Sequence, residues 1–342
     1  MIDNIVKSLK KDLKMKTVTV GTEFEDPSEY VSSGNLALDW CLGGHGFAYR
    51  FVAQLLGKSK AGKTSLMLKV AGNAQKQQDA YVVWIDRESA FVRDFAEKLG
   101  LNMDKLILAE AADVKTPKEA YAFFEMAHAK IREADPEAYI VLCLDSLASF
   151  SKSQEGEDMG RTAKYHHAGF RDMMPLMDKR TMLLFANHVT FKVGLVFGKP
   201  TTHTGGTAPE YYSSYILELD GGKLIKDDDG TIVGQNTQAE VVKTRLGPAH
   251  RGCIIPFYYD SGYQWYGGFM RMLVARGILR PTNKGDFKAG KPTRYQHLET
   301  DVKYQEEEVD QLLKDHPELE EEKHKVVYQA QVVEDDDGEE VR

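Results

Sequence analysis

Eight residues, GKSKAGKT from Gly57 to Thr64, limit what this chain can fold into more than any other stretch. They fit G-x-x-x-x-G-K-[ST] without a mismatch. Glycines in such a loop let backbone N–H groups converge on phosphate oxygens, Lys63 reaches the outer phosphates, and the Thr64 hydroxyl holds Mg²⁺. The pattern carries this chemistry only between a strand and a helix. FVAQLL (51–56) is an apolar run suited to a buried strand, and SLMLKVAGNAQKQQ (65–78) has the composition and spacing of a helix whose N-terminus faces the anion. A glycine turn that merely happens to carry lysines does not account for both flanks. The stretch reads as a nucleotide site, with Gly57, Lys58, Ser59, Lys60, Ala61, Gly62, Lys63, Thr64 and Ser65 as its binding residues.

Strands and helices then alternate. AYVVWID (80–86), KLILAEA (105–111), AYIVLCLD (138–145) and RTMLLFANH (180–188) read as strands; ESAFVRDFAEKLG, closed by Gly100, and TPKEAYAFFEMAHAKIREA (116–134), with Pro117 in its first turn, read as helices. YILELDGGKLIKDDDGTIVGQNTQAEVVKTR has the pattern of antiparallel strands around a DDDG turn. The alternation predicts an α/β fold with a largely parallel sheet and its site at the carboxyl ends of the strands. Ahead of it, MIDNIVKSLKKDLK places Ile2, Ile5, Val6, Leu9 and Leu13 on one helix face, and KTVTVG (16–21) alternates as a short strand. This pair reads as an arm that serves a neighbouring subunit. In VSSGNLALDWCLGG, Ser33 is the expected cap of a short helix ended by Gly43-Gly44. The expected divisions are an arm over 1–30, a core over 31–266, a smaller, mostly helical and basic region over 267–328, and an acidic tail over 329–342.

The net charge of −8 is unevenly spread: residues 299–342 carry 17 acidic and 5 basic side chains, which leaves the rest at +4. Such a tail is either a solubilising end or a competitor for a polyanion in a basic groove. Cys41, Cys143 and Cys253 lie far apart without CxxC spacing, which argues against a disulfide framework or a zinc site and for a reducing compartment. With no secretory signal and no apolar run of membrane-spanning length, a cytoplasmic protein without a membrane partner is expected.

IVLCLDS ends a strand in Asp145, whose carboxylate can hold Mg²⁺, and WIDRES puts Glu88 just past another strand end, where a carboxylate can polarise water or simply be solvated. Two further segments stand out. SFSKSQEGEDMGRTAKYHH (149–167) is polar and glycine-containing. NHVTFKVGLVFGKPTTHTGGTAPEYY (187–212) mixes Lys192, Lys199, Phe191 and Phe197 with Gly194, Gly198, Gly205 and Gly206. Lysines interleaved with aromatics suit a single-stranded nucleic-acid channel, whereas composition alone also allows a hairpin or an ordinary surface loop. His166, His167, His188 and His203 lack metal-ligand spacing.

From about Val31 to Gly277 the sequence resembles the RecA-family recombinases. SSGNLALD, the phosphate loop, ID-x-E, LDS, EGE–MG, a strand ending in Asn-His, FGKPTTHTGG and EVVKTRLGP occur in the family's order, and the last two are far more specific than a phosphate loop. His188 stands where bacterial members usually carry Gln and is similar in this to the phage-type (UvsX-like) branch; the first loop is also shorter than the bacterial pattern. The resemblance implies a RecA-like ATPase core with a mostly parallel sheet, ATP and Mg²⁺ as ligands, and a bacterial host's cytoplasm if phage-encoded. It implies that Thr64 and Asp145 hold the metal, that Glu88 orients the hydrolytic water and that Phe95 stacks on adenine. His188 would link the second loop to the γ-phosphate. Lys243 and Arg245, two apart in a strand and so on one face, would reach a neighbour's ATP. DNA contacts would come from Gly156 and Arg161 in or beside the first loop and from Lys192, Phe197, Lys199, Gly205 and Gly206 around the second.

The expected function is ATP-dependent filament formation on single-stranded DNA, followed by pairing and strand exchange with a homologous duplex. Single-strand-binding and mediator proteins are the expected partners, with an autoinhibitory acidic tail. A hexameric helicase motor shares the phosphate-loop logic but should carry a further N-terminal domain, for which residues 1–30 leave no room. A DNA-coating protein that binds ATP without hydrolysis is the non-enzymatic alternative, against which Lys63, Glu88 and Asp145 speak.

Overall fold

The computed structural model describes residues 1–14, 18–23, 25–152, 159–191, 201–284 and 294–319. Its first helix, α1 (Ile2–Asp12), buries none of its side chains: Ile2, Ile5, Leu9 and Leu13 are all exposed. Val18–Val20, where a strand was expected, are not in one, and Gly21–Glu23 form a 3₁₀ turn. An extended segment becomes a strand only when a neighbour supplies the ladder, and the described part of this chain supplies none there.

β1 (Tyr30–Val31) pairs with β2 (Phe47–Ala48), and between them lies α2 (Leu36–Cys41). Its cap is Asn35 rather than Ser33: Asn35 Oδ1 accepts the Leu38 N–H at 3.0 Å, while the Ser33 hydroxyl bonds within its own turn to the Asn35 backbone. The capping position is set by where the backbone turns helical, which four polar or small residues in a row leave open. Then come β3 (Val52–Gly57), α3 (Lys63–Gln78), β4 (Tyr81–Asp86), α4 (Arg93–Lys98), β5 (Leu106–Glu110), α5 (Pro117–Ala134), β6 (Ile140–Asp145), α6 (Met159–Met173) and β7 (Thr181–Asn187). α5 starts on a capping box in which Thr116 and Glu119 exchange bonds.

β8 (Val189–Phe191) and β9 (Thr201–His203) pair as a hairpin, followed by α7 (Ala208–Tyr212), the long antiparallel pair β10 (Tyr215–Lys226) and β11 (Ile232–Lys243), then β12 (Arg251–Tyr258) and β13 (Gly262–Tyr263). β3–β7 and β10–β13 form one nine-stranded sheet in the order β13-β12-β11-β10-β3-β7-β6-β4-β5, apart from the β8–β9 hairpin. From β10 to β5 every pairing is parallel; from β10 to β13 every pairing is antiparallel. Strand alternation sends Val82, Trp84 and Cys143 to one face with α3 and α4, and Val83, Ile85, Leu142 and Leu144 to the other with α5 and α6. The result is the layered α/β architecture expected of a largely parallel sheet.

The C-terminal region departs from the mostly helical expectation. It is a three-stranded antiparallel sheet, β14 (Leu279–Pro281), β15 (Tyr295–His297) and β16 (Lys303–Tyr304), flanked by α8 (Phe269–Ala275) and α9 (Val309–Asp315). Each strand is so short that no alternation could show itself in the sequence. Its apolar side chains, among them Phe269, Leu273, Tyr295 and Leu312, are continuous with the core, and Phe269 meets Trp40 edge-on at 5.1 Å. The acidic tail and the expected DNA contacts Gly156, Lys192, Phe197 and Lys199 lie outside the described residues.

Candidate nucleotide-binding site

The carboxyl ends of β3, β6, β4 and β7 converge. β3 ends at Gly57 and α3 starts after Gly62, which adopts φ +87°, so only glycine takes this turn without strain. A Cβ there would also strike the Tyr263 hydroxyl, which makes the cradle closed to side chains. Gln235 Nε2 on β11 donates to the Lys60 carbonyl at 2.8 Å and pins the loop from the side. Lys58 reaches Asp220 at 3.3 Å in an exposed pair, Ser65 is buried in the first turn of α3, and Ala61 is packed into the core.

Lys63 is only 6% exposed and donates to the Gly57 and Lys58 carbonyls at 2.9 and 2.7 Å. Burial lowers its pKa, opposed by the charges of Glu88 and Asp145. An ammonium whose hydrogen bonds go to neutral carbonyls, with Glu88 and Asp145 acting on it only at a distance, is suited to an incoming polyphosphate. Thr64 Oγ1 donates to Asp145 Oδ2 at 2.7 Å. Burial, with Glu88 and Asp86 nearby, pushes Asp145 up to about 6, against the hydroxyl bond and Lys63. A buried carboxylate and a hydroxyl in contact form the hard oxygen set that Mg²⁺ takes.

Glu88 is the most heavily bonded group of the site. Its Oε1 lies 3.2 Å from His188 Nε2 and accepts from the hydroxyls of Ser146 at 2.5 Å and Ser149 at 3.4 Å. The bond with His188 is the largest of the influences that hold its carboxyl down to about 2, so Glu88 is an anion at any physiological pH. The helix expected to start at Glu88 starts only at Arg93. Asp86 accepts the N–H groups of Glu88 and Phe91 at 3.1 and 2.9 Å and holds the intervening residues in a turn, with Ser89 at φ +52°. A short polar side chain that competes for backbone donors in this way blocks helix initiation. Phe95, on α4, is half-buried against the core.

His188 sits between β7 and β8, at the root of the β8–β9 hairpin. Asn187 Nδ2 donates to the Thr204 carbonyl at 3.0 Å and ties the hairpin's return to the same root. Gly205 and Gly206 follow at φ +93° and +76°; a Cβ on either would collide with Leu147 or Ala163, so their conformation serves close packing against α6 and its lead-in. α6 starts at Met159, so the first loop is over by then and Arg161 lies in the helix's first turn.

Lys243 and Arg245 are elsewhere. Lys243 pairs with Ile216, which is level with Gln54, so it stands about 10 Å down the sheet from Gly57 at ~3.3 Å per residue. β11 ends at Lys243, so strand alternation does not govern Arg245, which lies beyond it in a bend. The two cations nonetheless line one shallow pocket of about 430 Å³ with Thr207, Glu210 and Tyr211. Lys243 Nζ donates to the Glu210 carbonyl at 2.6 Å, while Arg245 has no partner among the described residues. Burial and Arg245 both lower the Lys243 pKa.

Among the groups bonded around Glu88, Asp86, Ser146 and Ser149 escaped sequence reading. Asp86 and Ser146 lie inside the motifs ID-x-E and LDS, and Ser149 opens the polar stretch 149–167, which is the signal the sequence offers for them. The peptide that joins Asp145 to Ser146 is cis.

Comparison with known proteins agrees with this arrangement. The RecA N-terminal domain family matches residues 1–264. Protein RecA of Streptococcus sanguinis is 28% identical over 93% of this chain and 81% of its own. Protein RecA of Bacteroides thetaiotaomicron is 28% identical over 96% and 95%, and that of Nocardioides sp. 31% identical over 81% and 77%.

Proposed function

The chain belongs to the RecA family, and we propose that it is a DNA-dependent ATPase that assembles on single-stranded DNA and exchanges strands with a homologous duplex. The observation that carries this reading is the contact of His188 with Glu88. It joins the carboxylate placed to orient water to the root of the β8–β9 hairpin, the element whose sequence suits a DNA channel. A rearrangement of that hairpin by DNA would therefore be felt at Glu88 directly.

The geometry supports the following roles. Backbone N–H groups of 58–64 and the Lys63 ammonium hold the phosphates of ATP, and Thr64 and Asp145 hold the metal, which supplies charge neutralisation. Ser146, Ser149 and His188 aim the Glu88 carboxylate, which accepts a hydrogen bond from the attacking water. Lys243 and Arg245 are too far down the sheet to serve their own loop, and they suit the nucleotide of an adjacent copy. The exposed apolar face of α1 suits docking on that copy as well. Phe95 as the adenine support, and the two loops with Arg161 as DNA contacts, complete the reading. His188, in place of Gln, supports the phage-type (UvsX-like) branch.

The test pairs two assays at saturating ATP and Mg²⁺: exchange between circular single strands and a homologous linear duplex, and unwinding of a forked duplex. Exchange without unwinding is expected. Unwinding without exchange would identify a helicase, and DNA coating without DNA-stimulated hydrolysis a scaffold.

A further inference from the structure

The C-terminal sheet ends on a pair of histidines that the nucleotide chemistry does not use. His297 closes β15 and His316 caps the end of α9; each is only 4% exposed. Their rings lie face to face, with centroids 3.7 Å apart and planes 14° apart. His316 Nδ1 is 3.0 Å from Glu318 Oε1. One nitrogen of each ring, His297 Nδ1 and His316 Nε2, is buried without a hydrogen-bond partner among the described residues. The backbone on both sides is fixed: the His297 N–H donates to the Val302 carbonyl and the His316 N–H to that of Leu312.

Buried polar atoms without partners cost free energy, and a folded chain retains them where something satisfies them. Protons do not: a charge on each ring would put two cations in stacking contact. A divalent ion meets the His297 Nδ1 lone pair and takes that of His316 Nδ1 beside Glu318, with no like charges added to the rings; His316 Nε2 then carries the N–H. Two imidazoles and one carboxylate are a donor set for Zn²⁺. One ligand atom from each of His297, His316 and Glu318 lies within 4.8 Å of the others. A tetrahedral zinc site with bonds of ~2.0–2.1 Å has ligand–ligand edges of about 3.3 Å. The His316–Glu318 contact is already near that edge; His297 has the distance to close. Because nearly parallel rings share no point in both planes, one imidazole must turn about its terminal torsion, which is soft. Glu318 is exposed and free to follow.

The geometry points to a zinc site formed by His297, His316 and Glu318, with water as fourth ligand, that clamps the end of α9 to β15. The spacing of 19 residues between the histidines is outside the usual zinc signatures, so the fold rather than the sequence brings them together.

The full-length chain, stripped with a chelator and dialysed against ZnCl₂ in excess Mg²⁺ to occupy the Thr64–Asp145 site, should retain one zinc per chain and melt at a higher temperature. Co²⁺ in its place should give the intense visible bands of a four-coordinate ion. Losing a partner that merely orients a ligand costs about 10–100-fold in affinity, so losing a ligand should cost at least about 100-fold. His297→Ala and His316→Ala should show that loss. Because both sit in a core, Glu318→Gln is the companion variant: exposed, it should melt as wild type in chelator and still bind zinc at least about 100-fold more weakly. No retained zinc, or zinc held equally by Glu318→Gln and the double histidine variant, overturns the site.

Discussion

Two corners of the sheet carry this chain's conspicuous cations, and they are built differently. At the carboxyl end of β3, Lys63 is buried, donates to two carbonyls and lies within the influence of Glu88 and Asp145. Around it Thr64, Asp86, Ser146 and His188 are cross-bonded between four strands' ends. Down the sheet, Arg245 is exposed beside Lys243 in an open pocket, with no partner among the described residues. The first corner is complete within one chain. The second sets two like charges side by side with only Glu210 to offset them, an arrangement that a further anion brought by another molecule would stabilise.

The comparison breaks if either corner fails to behave so. The largest effect belongs to Lys63→Ala, which should remove measurable ATP turnover with and without DNA. Near-normal hydrolysis in a steady-state assay would strip the complete corner of its role. Arg245→Ala should lower DNA-stimulated turnover by up to about a thousandfold, as for a trans-acting arginine, and weaken cooperative assembly, while the isolated subunit still binds ATP. Mixing it with Lys63→Ala should restore part of the hydrolysis, because some interfaces then combine an intact loop with an intact Arg245. Normal turnover by monomeric Arg245→Ala would make the open corner ornamental.

Glu88→Gln sharpens the contrast further, with turnover reduced by about 10²–10⁴-fold while ATP stays bound. Since the folded carboxyl titrates near 2, below its usual value, its contribution to stability is present above about 4.5 and is lost only as pH falls through about 2. A melting curve from pH 7 to 5 should therefore show no loss traceable to Glu88. The smallest effect is on stability. Asp145 titrates near 6, above its usual value, so its favourable contribution is present below about 3.8 and is lost as pH rises through about 6. Asp145→Asn should then raise the melting temperature of the metal-free chain by a few degrees at pH 7 and by nothing at pH 4. A uniform shift at both would deny that burial of the charge is the cause.

Much of the complete corner was legible, because its parts are local patterns. A loop with fixed glycines, and apolar strands that end in Asp145 and just before Glu88, announce themselves within a few residues. What stayed hidden depends on three-dimensional placement. Asn35 rather than Ser33 caps α2 because the backbone becomes helical two residues later than polarity suggests. Asp86 unwinds the start of an expected helix by taking two backbone donors. The distance between Lys243 and Gly57 follows from the antiparallel return of β11, and periodicity alone put both cations on a strand that stops before the second. The short strands of the C-terminal sheet left no alternation to read, and the meeting of His297 with His316 is a product of that sheet.

The strand order has one more consequence, for how the chain is made. β3, which delivers the phosphate loop, lies between β7 and β10, with Ala53 beside Leu184 on one side and Tyr215 on the other. Both neighbours are encoded far downstream, so β3 is synthesised early and then waits with two open edges while the intervening helices and strands emerge. Non-local pairing of this kind is slow, and unpaired apolar strands invite wrong partners. The loop therefore cannot grip a nucleotide until about two-thirds of the chain exists, and a nascent chain that first acquires ATP protection against proteolysis would mark the arrival of β10.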